Sequence, residues 1–315
     1  MSNTAISGPP EARRPRRHLL SSNPVVLKEL RGRMRGARAF VVLSVYLLLM
    51  AGFTVLLYML STTSQDIAGY AKGAEIGRVL FAGIVAIELF LVTFIAPAFT
   101  ASAISGERER QTYDLLKTTL LPASSLVFGK LISALSYVLL LLLAAIPLQS
   151  IAFLFGGVAE TEVVLAFVIL LVTGIALGTI GIYFSATQPR TLSANVTTYA
   201  VTLTITIGLP LVIFVLVALV GSILGAQQVS VSVQAFLLHA LMILVATNPL
   251  ATAYTTQYFL INNQGAAMVT VTLRDATTIT QATVLSPWIL FTVLYLILSV
   301  IMVIRTVRRV RRIDA

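Results

Sequence analysis

Residue types that commonly carry chemistry are few in this sequence and lie far apart. The two histidines, His18 and His239, fall in different regions of the chain and form no recognisable metal-binding pair. The chain contains no cysteine, which excludes disulfide bonds, thiolate metal sites and thiol nucleophiles. The apolar segments contain no Ser/His or paired-carboxylate constellation. We therefore predict no catalytic residue and no metal site.

One dipeptide superficially matches a nucleotide-binding motif. Gly129-Lys130 is the only Gly-Lys pair, but a P-loop needs a glycine where this chain has Ser124, and a serine or threonine where it has Leu131. The backbone cradle that would hold a phosphate is therefore missing. We predict that the chain is not an enzyme and binds no cofactor itself.

The amino-acid composition indicates what kind of fold holds the remaining polar residues. Of the 315 residues, 57% are hydrophobic and 11% are charged, and the mean hydropathy is +0.94. A soluble domain of this length is far less apolar. A helix needs about 20 apolar residues to cross the bilayer core. Runs of suitable length lie at residues 39–60, 79–104, 124–155, 163–186, 194–224 and 287–305. We predict an all-α polytopic membrane protein with about six transmembrane helices in a lipid bilayer.

Lysine and arginine set the predicted orientation. With the N-terminus inside, only Lys72, Arg78 and Arg274 of the 22 basic residues lie on the outer side, as the positive-inside rule requires. Both termini are therefore predicted to be cytoplasmic, in the plasma or inner membrane of the cell. Because the basic residues crowd at the ends of apolar runs, the net charge of +10 does not indicate nucleic acid as a partner.

Three regions follow from this pattern. Residues 1–38 form a basic leader, with an amphipathic interfacial helix that starts at Asn23-Pro24. Residues 39–305 form the transmembrane domain, and residues 306–315 form a basic cytoplasmic tail.

The stretch 231–261 is the main alternative to a count of six. It is apolar, but Asn248 and Pro249 interrupt it, and a seventh crossing would place the arginine-rich segment 305–312 outside. We therefore predict outer-leaflet or re-entrant helices within the outer segment 225–286. Beyond them, apolar residues alternate with polar ones from Val269 to Arg274, which predicts a short strand.

The most unusual loop joins the second and third spans and reads SGERERQTYDLLKTTLL over residues 105–121. Ser105 can cap a helix, and Glu107 and Glu109 fall in its first turn, where the helix dipole favours negative charge. Apolar residues share one face, and they are Tyr113, Leu116 and Leu120. Pro122 ends the pattern. We predict one helix over 105–121, outside the membrane core.

This loop resembles a motif of type 2 ATP-binding cassette (ABC) exporter permeases. The matching residues are Ile104, Ser105, Glu107, Arg108, Glu109, Thr112, Leu115, Leu116, Pro122, Gly129, Lys130 and Leu131. The chain departs from the motif at Gln111, where glycine is usual, and at Asp114, where glutamate is usual; we expect neither change to break the helix. The leader from Asn23-Pro24 through Lys28-Glu29-Leu30-Arg31 is also similar to the start of such permeases.

The resemblance implies that residues 105–121 form a coupling helix on a separate cytoplasmic ABC ATPase, which would bind ATP and Mg. The implied ATPase-contact residues are Glu107, Arg108, Glu109, Arg110, Thr112, Tyr113 and Leu116. It further implies a second permease chain, in a homo- or heterodimer, a leader helix beside the ATPase contact, and re-entrant outer helices before the last span. The alternative is that 105–121 is only an interfacial loop.

Polar residues within the spans are candidates for a substrate pathway. Glu88 is the one acidic residue well inside a span, and it either lines a pathway or forms structural hydrogen bonds. On the fifth span, four residues share one face, namely Asn195, Thr198, Thr202 and Thr206. The polar stripe that these four residues form either makes hydrogen bonds within the helix bundle or faces the dimer axis. On the fourth span, Gly174, Gly178 and Gly181 predict close helix packing.

The function that these features favour is the permease subunit of an ATP-driven exporter. A secondary transporter is an alternative, but it would need an internal repeat or paired broken helices around a charged midplane site, and Glu88 alone is thin support. A non-transporting anchor or signalling subunit built on the same scaffold is a second alternative.

Overall fold

The structure is a computed structural model that describes residues 37–66, 73–113, 122–225, 230–262, 265–274 and 279–314. The predicted leader lies outside the described residues except for residues 37 and 38, which open the first helix. Residues 114–121, which include Leu116, also lie outside them.

The described chain is largely helical. Its helices are α1 (Ala37–Asp66), α2 (Gly73–Thr100), α3 (Ser105–Glu109), α4 (Ala123–Leu154), α5 (Glu160–Thr187), α6 (Thr191–Leu203), α7 (Leu209–Gly225), α8 (Val231–Val245), α9 (Pro249–Ile261) and α10 (Pro287–Asp314). A π-helical turn, Thr204–Gly208, joins α6 to α7. Six stretches of the described chain are long and apolar enough to cross a membrane: α1, α2 with α3, α4, α5, α6 with α7, and α10. The prediction of a multi-pass helical membrane protein is confirmed.

Helix α5 is the centre of the bundle. In the most apolar part of α5, 67% of the residues are buried, against 17% in α1 and 11% in the span formed by α6 and α7. Helix α5 packs against α2, α4, α6 and α10. A Cβ atom on Gly174 would lie 3.1 Å from Val138 of α4, and one on Gly178 would lie 3.1 Å from Leu135. At Gly181 it would overlap Thr100. The three glycines therefore allow α2 and α4 to approach α5 closely, as predicted.

Helix α3 and the last turns of α10 share one end of the bundle. Ile104, Tyr113 and Val310 pack in one apolar cluster there. We call it the arginine-rich end, after the exposed arginines that α10 carries in these turns, which are Arg305, Arg308, Arg309 and Arg311. The predicted basic tail is thus a helical continuation of the last span.

The stretch 231–261 forms two helices, α8 and α9, with a break at residues 246–248. They have 15 and 13 residues, whereas a span needs about 20. Asn248 caps α9, since its side-chain oxygen accepts a hydrogen bond from the amide of Ala251, and Pro249 takes the first helical position. The predicted interruption is therefore present.

An antiparallel hairpin of β1 (Met268–Arg274) and β2 (Ile279–Leu285) follows α9. Strand β1 agrees with the predicted alternation, whereas β2 was not predicted, so the fold is not purely α-helical. The inward side chains Val269, Leu273 and Val284 pack beneath Leu238 and Met242 of α8. Burial of this face against α8 gives the hairpin the apolar support that an isolated two-stranded sheet lacks.

Candidate functional site

The start of α3 is capped by a neighbouring helix. The amides of Ile104 and Ser105 lie 2.8 and 3.0 Å from the hydroxyl oxygen of Ser185 on α5, which accepts both hydrogen bonds. Ser105 was predicted to be the cap, and this was wrong, because Ser105 lies inside the helix and is buried. The first amides of a helix need acceptors, and here α5 supplies one.

Helix α3 ends at Glu109, so the prediction of one helix over 105–121 is wrong at residues 110–112. Gln111 has φ 57°, and it is the only non-glycine residue of the described chain with a positive φ. The left-handed conformation favours glycine and ends helices. Gln111 occupies the position where the resembling motif has glycine, and we had expected the difference to leave the helix intact. The amide of Thr112 then turns back to the carbonyl oxygen of Glu107, at 3.0 Å.

Glu107 reaches the third span. Its Oε1 lies 2.7 Å from the Nζ of Lys130 on α4, and the Lys130 side chain is only 4% exposed. A buried ammonium group is costly unless it is paired with an anion. Lys130 thus belongs to an ion pair that fastens α3 to α4.

Arg108 reaches the end of the fourth span. Its Nη2 donates a hydrogen bond of 2.9 Å to the carbonyl oxygen of Ala186, and its Nη1 lies 3.5 Å from that of Gln188. These carbonyl groups end α5, where the helix dipole favours a positive charge. The guanidinium also lies 5.3 Å from the centre of the Tyr113 ring. Tyr113 is itself buried.

Glu109 reaches the start of the fifth span. Its two carboxylate oxygens accept hydrogen bonds from the amide and the hydroxyl of Thr191, each at 2.7 Å. Thr191 is the first residue of α6. A carboxylate at that position satisfies an unpaired amide and interacts favourably with the positive end of the helix dipole.

Three consecutive charged residues therefore connect α3 to three different helices. Successive positions on a helix point about 100° apart, so each side chain can reach a separate neighbour. We call residues 101–113, together with Lys130, Ser185–Gln188 and Thr191, the junction. It splits the predicted ATPase-contact set into two groups. Glu107, Arg108, Glu109 and Tyr113 contact the chain itself, while Arg110 and Thr112 are exposed, with Gln111 between them.

Glu88 lies in a buried polar cluster at the centre of α2. It is fully buried, and its two oxygens accept hydrogen bonds from Gln149 of α4, at 2.7 Å, and from the hydroxyl of Tyr46 of α1, at 3.4 Å. Sequence reasoning selected Glu88 but missed both partners, although Gln149 is an amide within an apolar run. In this conformation Glu88 links three spans by hydrogen bonds.

The polar stripe of the fifth span faces the chain's own bundle. Thr198, Thr202 and Thr206 are fully buried, while Asn195 is half-buried. The hydroxyl of Thr198 donates to the carbonyl oxygen of Ala194 at 2.6 Å, as hydroxyls in membrane helices commonly do. Helix α6 packs against α2 and α5. The stripe therefore takes part in packing within one chain.

The π-helical turn in the fifth span leaves a backbone carbonyl group without its usual partner. The amide of Leu209 bonds to the oxygen of Thr204, five residues earlier. The next oxygen in this pattern, that of Ile205, would need the amide of residue 210, but Pro210 has none. An unpaired carbonyl group is costly in hydrocarbon.

Asn248 supplies the missing donor. Its Nδ2 lies 2.6 Å from the oxygen of Ile205 and 3.3 Å from that of Thr206, while its Oδ1 caps α9. One amide therefore fixes the α8–α9 break against the middle of the fifth span. The sequence marked Asn248 only as an interruption, since its partner lies 43 positions away.

Comparison with known proteins gives no family assignment. No family model matches the sequence, and no curated protein matches it significantly.

Proposed function

We propose that this chain is the membrane permease subunit of an ABC exporter, with the junction as the point that receives movement from a separate ATPase. In this proposal the arginine-rich end is cytoplasmic and the protein lies in the cell membrane. ATP and Mg bind only to the ATPase, and two permease chains form the transport path.

The observation that carries the proposal is the set of contacts made by α3. Residues 107–109 bind α4, the end of α5 and the start of α6, while residues 110–112 are exposed beside them. A partner that displaces the exposed turn would therefore move three spans at once. A loop with no mechanical role would not need a separate charged contact to each span.

The buried cluster at Glu88 weighs against a secondary transporter. Such a transporter needs a charged midplane site that its ion or substrate can reach. Both oxygens of Glu88 are instead hydrogen-bonded, and the side chain is fully buried.

The proposal is tested by co-expressing the chain with the ABC ATPase encoded by a neighbouring gene and measuring how much ATPase co-purifies. Arg110→Glu reverses one exposed charge on the proposed contact and should reduce co-purification at least tenfold. Arg311→Glu makes the same charge change on α10, at the same end of the bundle, and should leave it unchanged. Equal recovery of the ATPase with both variants would refute the contact.

Junction variants separate transmission from binding. Glu109→Gln and Thr191→Val weaken the bond between α3 and α6 without changing residues 110–112. We expect both to keep the ATPase bound but to reduce the ATP-dependent change in labelling of a cysteine introduced at Phe214. If the chain were a non-transporting anchor, it would bind the ATPase, but labelling at position 214 would not change with ATP even when the junction is wild type.

A further inference from the structure

A cavity of about 450 Å³ opens between the ends of α5 and α10 at the arginine-rich end. It is lined by Tyr183 and Thr187 of α5 and by Arg305, Arg308 and Arg309 of α10. Thr187 lies within the junction, but none of these residues belongs to the proposed ATPase contact.

The cavity concentrates positive charge. Its three arginines lie within little more than one turn of α10, at spacings of three and four residues, where like charges repel. They are exposed, and none of them forms an ion pair with another described residue. Arginine binds phosphate through paired hydrogen bonds, so three arginines around one cavity favour a phosphate-containing ligand.

The lining of α5 adds hydroxyl groups to this basic wall. The hydroxyl of Thr187 already donates to the carbonyl oxygens of Tyr183 and Phe184, so towards a ligand it can only accept a hydrogen bond. The hydroxyl of Tyr183 makes no hydrogen bond to a described residue and can donate. A ligand with both acceptor oxygens and hydroxyl groups would satisfy this lining.

An exposed apolar stripe leads from the membrane core to the cavity. Exposed aliphatic side chains on one face of α10 form it, namely Leu294, Ile297, Ile301 and Ile304. Arg305 and Arg308 continue the same face at the helical spacing. Helix α5 ends at Thr187, and α10 changes beside it from apolar to arginine-rich, a pattern that is typical of the membrane–water interface.

We propose that this cavity binds the phosphate-containing headgroup of an anionic phospholipid, with one acyl chain lying along the apolar stripe of α10. Phosphate oxygens would contact the arginines, and a headgroup hydroxyl would reach Thr187. Basic cavities between helix ends are a recurrent means of binding anionic lipid. The bound lipid would fasten the last span to the central helix α5. This inference does not rest on the proposed function.

The test is retention of lipid by the purified full-length chain, measured by native mass spectrometry with phosphatidylglycerol or phosphatidylcholine. The wild-type chain should retain phosphatidylglycerol preferentially. Arg308→Gln should weaken that retention about fivefold, the effect expected for one arginine near a lipid surface. Arg311→Gln removes the same charge from an exposed residue one turn further along α10, outside the cavity lining, and should have little effect.

Three outcomes would overturn the proposal. Equal retention of both lipids would show that the site does not select an anionic headgroup. Equal losses in the two variants would show that general charge, and not the cavity, attracts the lipid. Displacement of the lipid by millimolar glycerol 3-phosphate would show that the phosphate alone is recognised, so that the natural ligand is a soluble phosphate compound.

Discussion

The ammonium group of Lys130 is almost completely buried at the arginine-rich end, and the carboxylate of Glu107 lies 2.7 Å from it. Glu107→Gln would replace this ion pair by a contact between the ammonium group and an uncharged amide. We expect the free energy of unfolding to fall by about 2 kcal/mol, as for a lost hydrogen bond to a charged group. Unfolding of the purified chain in mixed detergent micelles measures the change.

Glu109→Gln is the matched control for this prediction. It makes the same chemical change two residues away, but Glu109 is exposed and its partner Thr191 is neutral, so the loss should be much smaller. Comparable losses in the two variants would mean that the Lys130 pair has no special role in stability.

The sequence singles out the side chains of Glu88 and Glu107 but not the residues that they bind. The reason is physical: a charge within or beside an apolar run is visible in the sequence, whereas its partner comes from another helix. Gln149 lies 61 positions from Glu88, and Lys130 lies 23 positions from Glu107. Only the packing of the spans brings these pairs together.

At the scale of elements, Pro210 and Asn248 should be energetically coupled. Asn248→Ser keeps a capping oxygen for α9 but removes the amide that reaches Ile205, and should destabilise the chain by about 1 kcal/mol. Pro210→Ala restores a backbone donor in the fifth span. In the Pro210→Ala background, the loss of unfolding free energy that Asn248→Ser causes should therefore be about half as large or smaller.

A double-mutant cycle of unfolding free energies measures this coupling. If Asn248→Ser costs the same in both backgrounds, the Asn248 amide does not compensate for the missing donor of Pro210. The α8–α9 break would then be held to the fifth span by packing alone.

The elements themselves differed in how well they could be predicted. The six apolar spans and β1 follow from local patterns of side chains, since length and alternation are properties of the segment itself. The end of α3 at Glu109 was missed because Gln111, and not glycine, adopts the positive φ that follows it, while strand β2 depends on tertiary contacts. Among the residues of β2 whose burial is described, 280–285, Val284 is the one deeply buried side chain, so the strand shows no strong alternation there.

At the scale of the whole molecule, burial is distributed very unevenly among the spans. Helix α5 is enclosed by its neighbours, whereas the fifth span turns its polar stripe inward and large apolar side chains outward. Leu211, Phe214 and Val215 are between 64% and 73% exposed. In a bilayer this face meets either lipid or a second chain. In the proposed permease dimer we assign this apolar face to the contact with the second chain, because the polar stripe, which was the predicted alternative, is buried within the bundle.

Because the chain contains no cysteine, cross-linking can test this arrangement without altering the background. Leu211→Cys places a thiol on the outward face of α7, and Leu48→Cys places one on α1. The two native side chains are about equally exposed, at 68% for Leu211 and 72% for Leu48. Under oxidation in membranes, Leu211→Cys should give a covalent dimer and Leu48→Cys should remain a monomer. Thiol labelling of both variants would first establish that each cysteine is accessible. A disulfide bond forms only between cysteines a few ångströms apart, so a specific interface brings only one of these two faces within reach. A dimer through α1 alone, or equal cross-linking at both positions, would therefore contradict a permease dimer that meets at the fifth span.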